Sequence, residues 1–149
     1  MSISNHPYPH KWLSRNEATE IVCDKQAAHC MLFAKCREPI DIRYGETCME
    51  YLVMMILRDD GYLGFPGGEL DNEESWEEGL KREMQEEINF KYDIPENSYC
   101  GSEFSGKYLC HFYCLEITEA EFLEVERSAH SCKHFGVEVS LTSSPILLC

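Results

Sequence analysis

Residues 68–90, GELDNEESWEEGLKREMQEEINF, decide how the rest of the chain is read. Ser75 followed by Glu78 is a capping box, in which the hydroxyl takes the Glu78 backbone N–H and the carboxylate returns to that of Ser75. A helix is therefore expected from Trp76, with Trp76, Leu80, Met84 and Ile88 recurring every fourth position as its buried stripe. Glu83, Glu86 and Glu87 then stand at i, i+3 and i+4 on one face. Like charges so placed repel, and oxygen-only ligands on a rigid element suit magnesium or manganese. The competing reading is a solvated acidic face, supported by i,i+4 pairs such as Glu77 with Lys81 and Glu87 with Lys91. The preceding run, Gly64-Phe65-Pro66-Gly67-Gly68, favours the metal, because its glycines let backbone approach an ion or a phosphate closely.

Composition bounds the rest. The 149 residues, 44% of them apolar, suffice for one domain around a single core. The opening MSISNHPYPHKW has no apolar run and no stretch of about eighteen apolar residues follows, so neither signal peptide nor membrane span is expected. The nine cysteines, an odd number, are read as reduced thiols of an intracellular protein. Cys110 and Cys114 bracket His111 within an apolar run, which reads as a buried strand rather than zinc ligands, since a second ligand pair is missing. A net charge of -14 argues against non-specific nucleic-acid binding. Residues 1–64 carry seven basic and nine acidic side chains against six and eighteen in 65–149, so a long polyanion is expected to lie on the N-terminal part. Lys11, Arg15, Lys25, Lys35, Arg37 and Arg43 are its available cations.

Along the chain, Pro7 and Pro9 suggest a loose tail, followed by a helical turn around residues 17–22. AAHCMLFA (27–34), YLVMMIL (51–57) and KYLCHFYCLEI (107–117) read as strands, the second closed by the turn Asp59-Asp60-Gly61. Thr118 with Glu121 is another capping box, opening a helix to about Ser128, and Gly136-Val137-Glu138-Val139 begins a further strand. Strands and helices around one core imply an α/β or α+β sandwich. His29, taken by itself, is most often a satisfied core histidine.

The segment 68–90 resembles the signature of the Nudix hydrolases. Gly68, Glu74, Arg82, Glu83, Met84, Glu86, Glu87 and Phe90 match its spacing, and Asn89 stands where the family has glycine. Asparagine is the next-best residue for a left-handed helix end, so this departure is expected to cost stability rather than the site. Residues 58–68, Cys110-His111-Phe112-Tyr113 and Gly136-Val137-Glu138-Val139 are similar to the branch that decaps small nucleolar RNA and hydrolyses inosine diphosphates, a likeness over roughly residues 26–139. It implies a Nudix-type α/β/α sandwich with a mixed sheet over residues 26–149, behind an N-terminal extension of residues 1–25. The family continues past Val139 with another strand and a closing helix that are expected to be missing here.

What the resemblance implies about the site is specific. Magnesium or manganese would be held by the Gly67 carbonyl, Glu83, Glu86 and Glu87, with Glu103 standing where the family can have a histidine ligand. His29, Arg58 and Phe65 would hold the nucleotide. Glu83, Glu86, Glu87 and Glu138 would be the catalytic carboxylates, with Glu86, Glu103 or Glu138 as general base, while Glu74 and Arg82 orient the others. The substrate would be a nucleoside diphosphate or capped RNA, with no membrane involved. A homodimer is compatible with this reading, and the implied location is nucleus, nucleolus and cytoplasm. The alternative is a catalytically weak Nudix-fold regulator that binds RNA or protein.

Overall fold

The computed structural model describes residues 11–41, 48–58, 60–132 and 139–144. The sheet runs β1 (Lys11–Leu13), β6 (Tyr99–Phe104), β7 (Leu109–Ile117), β2 (Gln26–Asp41), β3 (Cys48–Arg58) and β4 (Leu63–Gly64) in spatial order. Two further strands lie off this path: β5 (Gly67–Glu69) pairs with β2 and β8 (Val139–Ser144) with β3. Among the described residues β2 and β7 form the parallel pair and the other pairings are antiparallel, which makes the sheet mixed. Among the described residues three α-helices join it: α1 (Arg15–Thr19), α2 (Trp76–Ile88) and α3 (Glu119–Ala129). None is long and apolar enough to cross a membrane.

One face of the sheet makes the main core. Ala28, Cys30, Leu32 and Ala34 alternate along β2 and join Met54 and Ile56 of β3 and Tyr113 of β7. Leu80, Met84 and Ile88 of α2 and Phe122, Val125 and Ala129 of α3 close over the same cluster. A second, smaller cluster gathers Leu13, Ala18 and Leu109 beneath α1.

Helix α2 begins at Trp76 under the reciprocal Ser75–Glu78 cap and ends at Asn89, whose φ of 56° and ψ of 35° are left-handed. Both features follow from the sequence. The loose tail expected around Pro7 and Pro9 lies outside the described residues. The turn expected at 17–22 is α1, set earlier by a capping box between Ser14 and Glu17, and β1 extends the sheet beside β6. Strand β6 escapes sequence reading because YCGSEF carries no alternation; its pairing comes from β7. Residues 67–69, read as part of a turn, are a strand locked to Ala27, Ala28 and His29. Residues 136–138 lie outside the described residues, and the strand expected there is seen from Val139 onward.

Candidate active site

The site forms where β5 passes under the C-terminal half of α2. Gly67 has a φ of 134°, and a Cβ on it would lie 2.1 Å from the Ala28 carbonyl oxygen, so only glycine fits this approach to β2. Its N–H donates to Glu87 Oε2 at 2.8 Å, which pins Glu87 over the strand. Glu83 packs on the next residue, with Oε2 2.6 Å from where a Gly68 Cβ would stand. Arg82 ties this arrangement to the loop ahead of the helix. It grips Glu74 with two parallel hydrogen bonds of 2.8 and 3.0 Å, donates to the Glu83 carboxylate, and reaches the Glu69 carbonyl at 3.1 Å. The Arg82 hydrogen bond holds the Glu74 carboxyl below its ordinary range, with the Asp71 N–H adding to the effect.

Beside these carboxylates opens a cleft of about 460 Å³. His29, Arg58 and Phe65 line it together with Gly67, Gly68 and Glu87. Residues from β2, β3, the β4–β5 turn and α2 thus meet at one place. His29 hydrogen-bonds the Phe65 backbone, and burial, seconded by the Arg58 charge, pushes its pKa down, so the ring is neutral near pH 7. Phe65 is held edge-on by Phe112 at 5.4 Å between ring centroids. Arg58 pairs with Asp60 at 2.8 Å and remains half exposed at the cleft mouth.

The donor chemistry of Glu83, Glu86, Glu87 and the Gly67 carbonyl fits a hard divalent cation. Glu83 and Glu87 are preset against β5; among the described residues no group of three or more His, Cys, Asp or Glu side chains is drawn together tightly enough to hold an ion. Glu86 is half-buried on the same helix face.

Two expected participants stand elsewhere or outside. Glu103 lies on β6, opposite Cys110 of β7, which is opposite Ala27, which is opposite Glu69. Three strand steps, roughly 14 Å, separate it from β5, and it does not line the cleft. Glu138 lies outside the described residues. Among the N-terminal cations whose side chains are described, no continuous track leads to the cleft. Arg15 is clamped by Glu77 at 2.6 and 3.1 Å and lies over the Trp76 and Tyr99 rings, and Arg37 faces Glu119 at 3.9 Å. Lys35 covers Tyr51, while Arg43 is outside the described residues. Lys25 alone of the described ones reaches the cleft rim, through a bond to Tyr108. Tyr108, Ile56 and Glu69 also line the cleft and were not legible in sequence; their part depends on strand register.

A family model described as U8 snoRNA-decapping enzyme-like matches residues 26–142. The chain belongs to this Nudt16-like family. It is similar to a U8 snoRNA-decapping enzyme of Homalodisca vitripennis, with 40% identity over 119 residues that cover 76% of this chain and 62% of the relative. A Tudor-interacting repair regulator protein of Mus musculus is 31% identical over 134 residues, covering 87% of this chain and 62% of the relative. The chain thus spans 62% of the length of either curated relative. Among solved structures, a mutT/nudix family protein from Listeria innocua aligns over 83% of this chain and 80% of its own, with 15% identity and a TM-score of 0.48. The mixed sheet with a few helices gives this member of the Nudt16-like family an α+β fold.

Proposed function

We propose that this Nudt16-like chain is a cation-dependent hydrolase that cleaves the diphosphate linkage of a nucleoside diphosphate or an RNA cap. The observation that carries this reading is the single cleft shared by His29, Arg58 and Phe65 with Gly67, Gly68 and Glu87. Phe65, fixed by Phe112, offers a base its face, and Arg58 can leave Asp60 for phosphate. Neutral His29 donates one ring N–H to the Phe65 carbonyl, which leaves its other nitrogen as an acceptor. Hypoxanthine and guanine both present an N1–H donor beside a six-oxo group, so one pocket suits inosine diphosphates and guanosine caps alike.

Glu83, Glu86, Glu87 and the Gly67 carbonyl would hold magnesium or manganese, which when bound lowers the pKa of a water and neutralises phosphate charge. Arg82 keeps Glu83 aimed at β5 and takes its own orientation from Glu74. Glu86 is the carboxylate we assign to accept the proton from the attacking water, since it shares the helix face with Glu83 and Glu87. The U8 snoRNA-decapping relatives support RNA caps as substrate and a nuclear place of action.

The test is product analysis with inosine diphosphate, guanosine diphosphate and cap-labelled RNA, each with magnesium and with manganese. Wild type should release phosphate or cleaved cap. Glu87→Gln, isosteric but a weaker ligand, should lower kcat at least about 100-fold while keeping its circular dichroism spectrum. The similarity to a Tudor-interacting repair regulator favours a second reading, a binding protein without turnover. Intact substrates throughout, with retained RNA or protein binding, would select it.

A further inference from the structure

Resting on the hydrolase reading above, we infer that the end of the cleft at Tyr108 is a subsite for the RNA strand that continues beyond the scissile diphosphate. The cleft has two ends, and chain direction sets them. From Phe65 to Glu69 the chain extends at most about 14 Å, with Gly67 and Gly68 between. A substrate cleaved over the two glycines therefore has one part at Phe65 and Arg58 and directs the other toward Glu69.

At that second end strand register brings three elements together. Ala27 pairs with Glu69 on one side and with Cys110 on the other, and the Leu109 N–H donates to the Lys25 carbonyl at 3.0 Å. Tyr108 is thereby set beside Lys25 at the rim. It closes a tight turn, with the Ser105 N–H on its carbonyl at 3.0 Å and its own N–H on Ser105 Oγ at 3.1 Å. Its hydroxyl accepts from the Lys25 ammonium at 3.1 Å and donates to Glu69 at 3.4 Å. Lys25 and Lys107 stand 5.2 and 5.5 Å from the ring centroid.

Tyr108 is half-buried, belongs to neither core cluster, and its cationic neighbours face solvent. The rim combines one aromatic face, two ammonium groups and one carboxylate that Lys25 already faces at 3.9 Å. On a chain of net charge -14 this local excess of cations stands out. An aromatic platform flanked by lysines is what single-stranded nucleic acid takes: a base stacks on the ring and the ammonium groups turn to the adjoining phosphates. A nucleoside diphosphate ends over the glycines and has nothing to place there.

The full 149-residue chain is compared with Tyr108→Ala, Tyr108→Phe and the double variant Lys25→Ala/Lys107→Ala. The substrates are inosine diphosphate and a cap-labelled single-stranded oligoribonucleotide, and affinity for the same RNA is followed by fluorescence anisotropy across a salt series. In Tyr108→Ala the ratio of kcat/KM on RNA to that on inosine diphosphate should fall about ten-fold, through KM, and Tyr108→Phe should restore it. The double variant should flatten the log–log salt dependence of RNA affinity by about 1 to 2. An unchanged ratio together with an unchanged salt slope overturns the subsite, as does an equal loss on both substrates. A wild-type chain that hydrolyses neither substrate defeats the hydrolase reading instead. Anisotropy then decides the subsite: weaker RNA affinity in the variants upholds it and unaltered affinity overturns it.

Discussion

Two adjacent glycines illustrate how much a single residue decides. At Gly67 a methyl group would collide with backbone, the Ala28 carbonyl oxygen, in a φ region closed to other residues. Gly67→Ala is therefore predicted to break the β5–β2 pairing and cost about 2–4 kcal/mol, read as a fall in denaturant midpoint. At Gly68 the methyl would meet the far end of Glu83, a flexible side chain that can move. Gly68→Ala should leave stability within about 1 kcal/mol of wild type yet reduce kcat/KM by about 10–100-fold, since a carboxylate displaced by an ångström no longer sits over β5. Asn89 makes the third case. Its left-handed backbone costs an L-residue energy that glycine escapes, so Asn89→Gly should raise stability by about 0.5–1 kcal/mol and Asn89→Ala lower it by a similar amount.

Between helix α2 and strand β7 lies a polar network whose direction can be worked out. Trp76 Nε1 can only donate, so the Gln26 atom it meets at 3.1 Å is the oxygen. His111 Nε2, at 2.9 Å from the same oxygen, must then carry the proton, and its Nδ1 accepts from Ser102 Oγ at 2.7 Å. Ser102 in turn accepts from the Tyr99 hydroxyl at 2.6 Å. The ring is fully buried and stacked on Trp76 at 3.7 Å, and burial, with the Arg15 charge adding to it, lowers its pKa to about 4. The unfolded chain takes up this proton near pH 6.5, so stability from His111 is complete above 6.5 and is lost as pH falls toward 4. The full loss is about 3 kcal/mol. His29, also lowered, acts with the same sign, whereas the carboxyls lowered by their partners, such as Glu74, contribute only at more acidic pH. Urea titrations at pH 7.5 and 5 should show the decline, and His111→Gln, which cannot take up a proton, should remove the larger part of it.

For the whole molecule the governing quantity is a net charge of -14, which repels itself in the folded state. Sodium chloride should raise Tm by screening, with or without Glu87. On the proposed function a divalent cation should do more at constant ionic strength, because the site on α2 and β5 would bind it in the folded chain and not in the unfolded one. At ten times its Kd, manganese is expected to add about 1.4 kcal/mol, roughly 3–6 °C for a chain of this size. Glu87→Gln should abolish the manganese increment and keep the salt effect. A manganese shift that survives in this variant would move the ion away from α2.

How far the sequence alone reached depends on the range of the forces involved. The start of α2 at Trp76, its buried stripe, its left-handed end at Asn89 and the capping of α3 by Thr118 are local, set by side chains within four positions of the backbone they satisfy. Spacing also put Glu83, Glu86 and Glu87 on one face and, with the family resemblance, singled out His29, Arg58 and Phe65. Sequence did not reveal that residues 67–69 are a strand, or that YCGSEF pairs at all, because these segments owe their conformation to partners far along the chain. Glu103 resembled a ligand by alignment, but register sets it three strand steps from β5. Arg15 counted as an available cation until packing bound it to Glu77. Tyr108 carried no signal in its own neighbourhood; it reaches the cleft only because β7 runs parallel to β2 and begins beside Lys25. Helix periodicity and caps are written in neighbouring residues, whereas the meeting of distant side chains is fixed by sheet register, which exists only once the chain has folded.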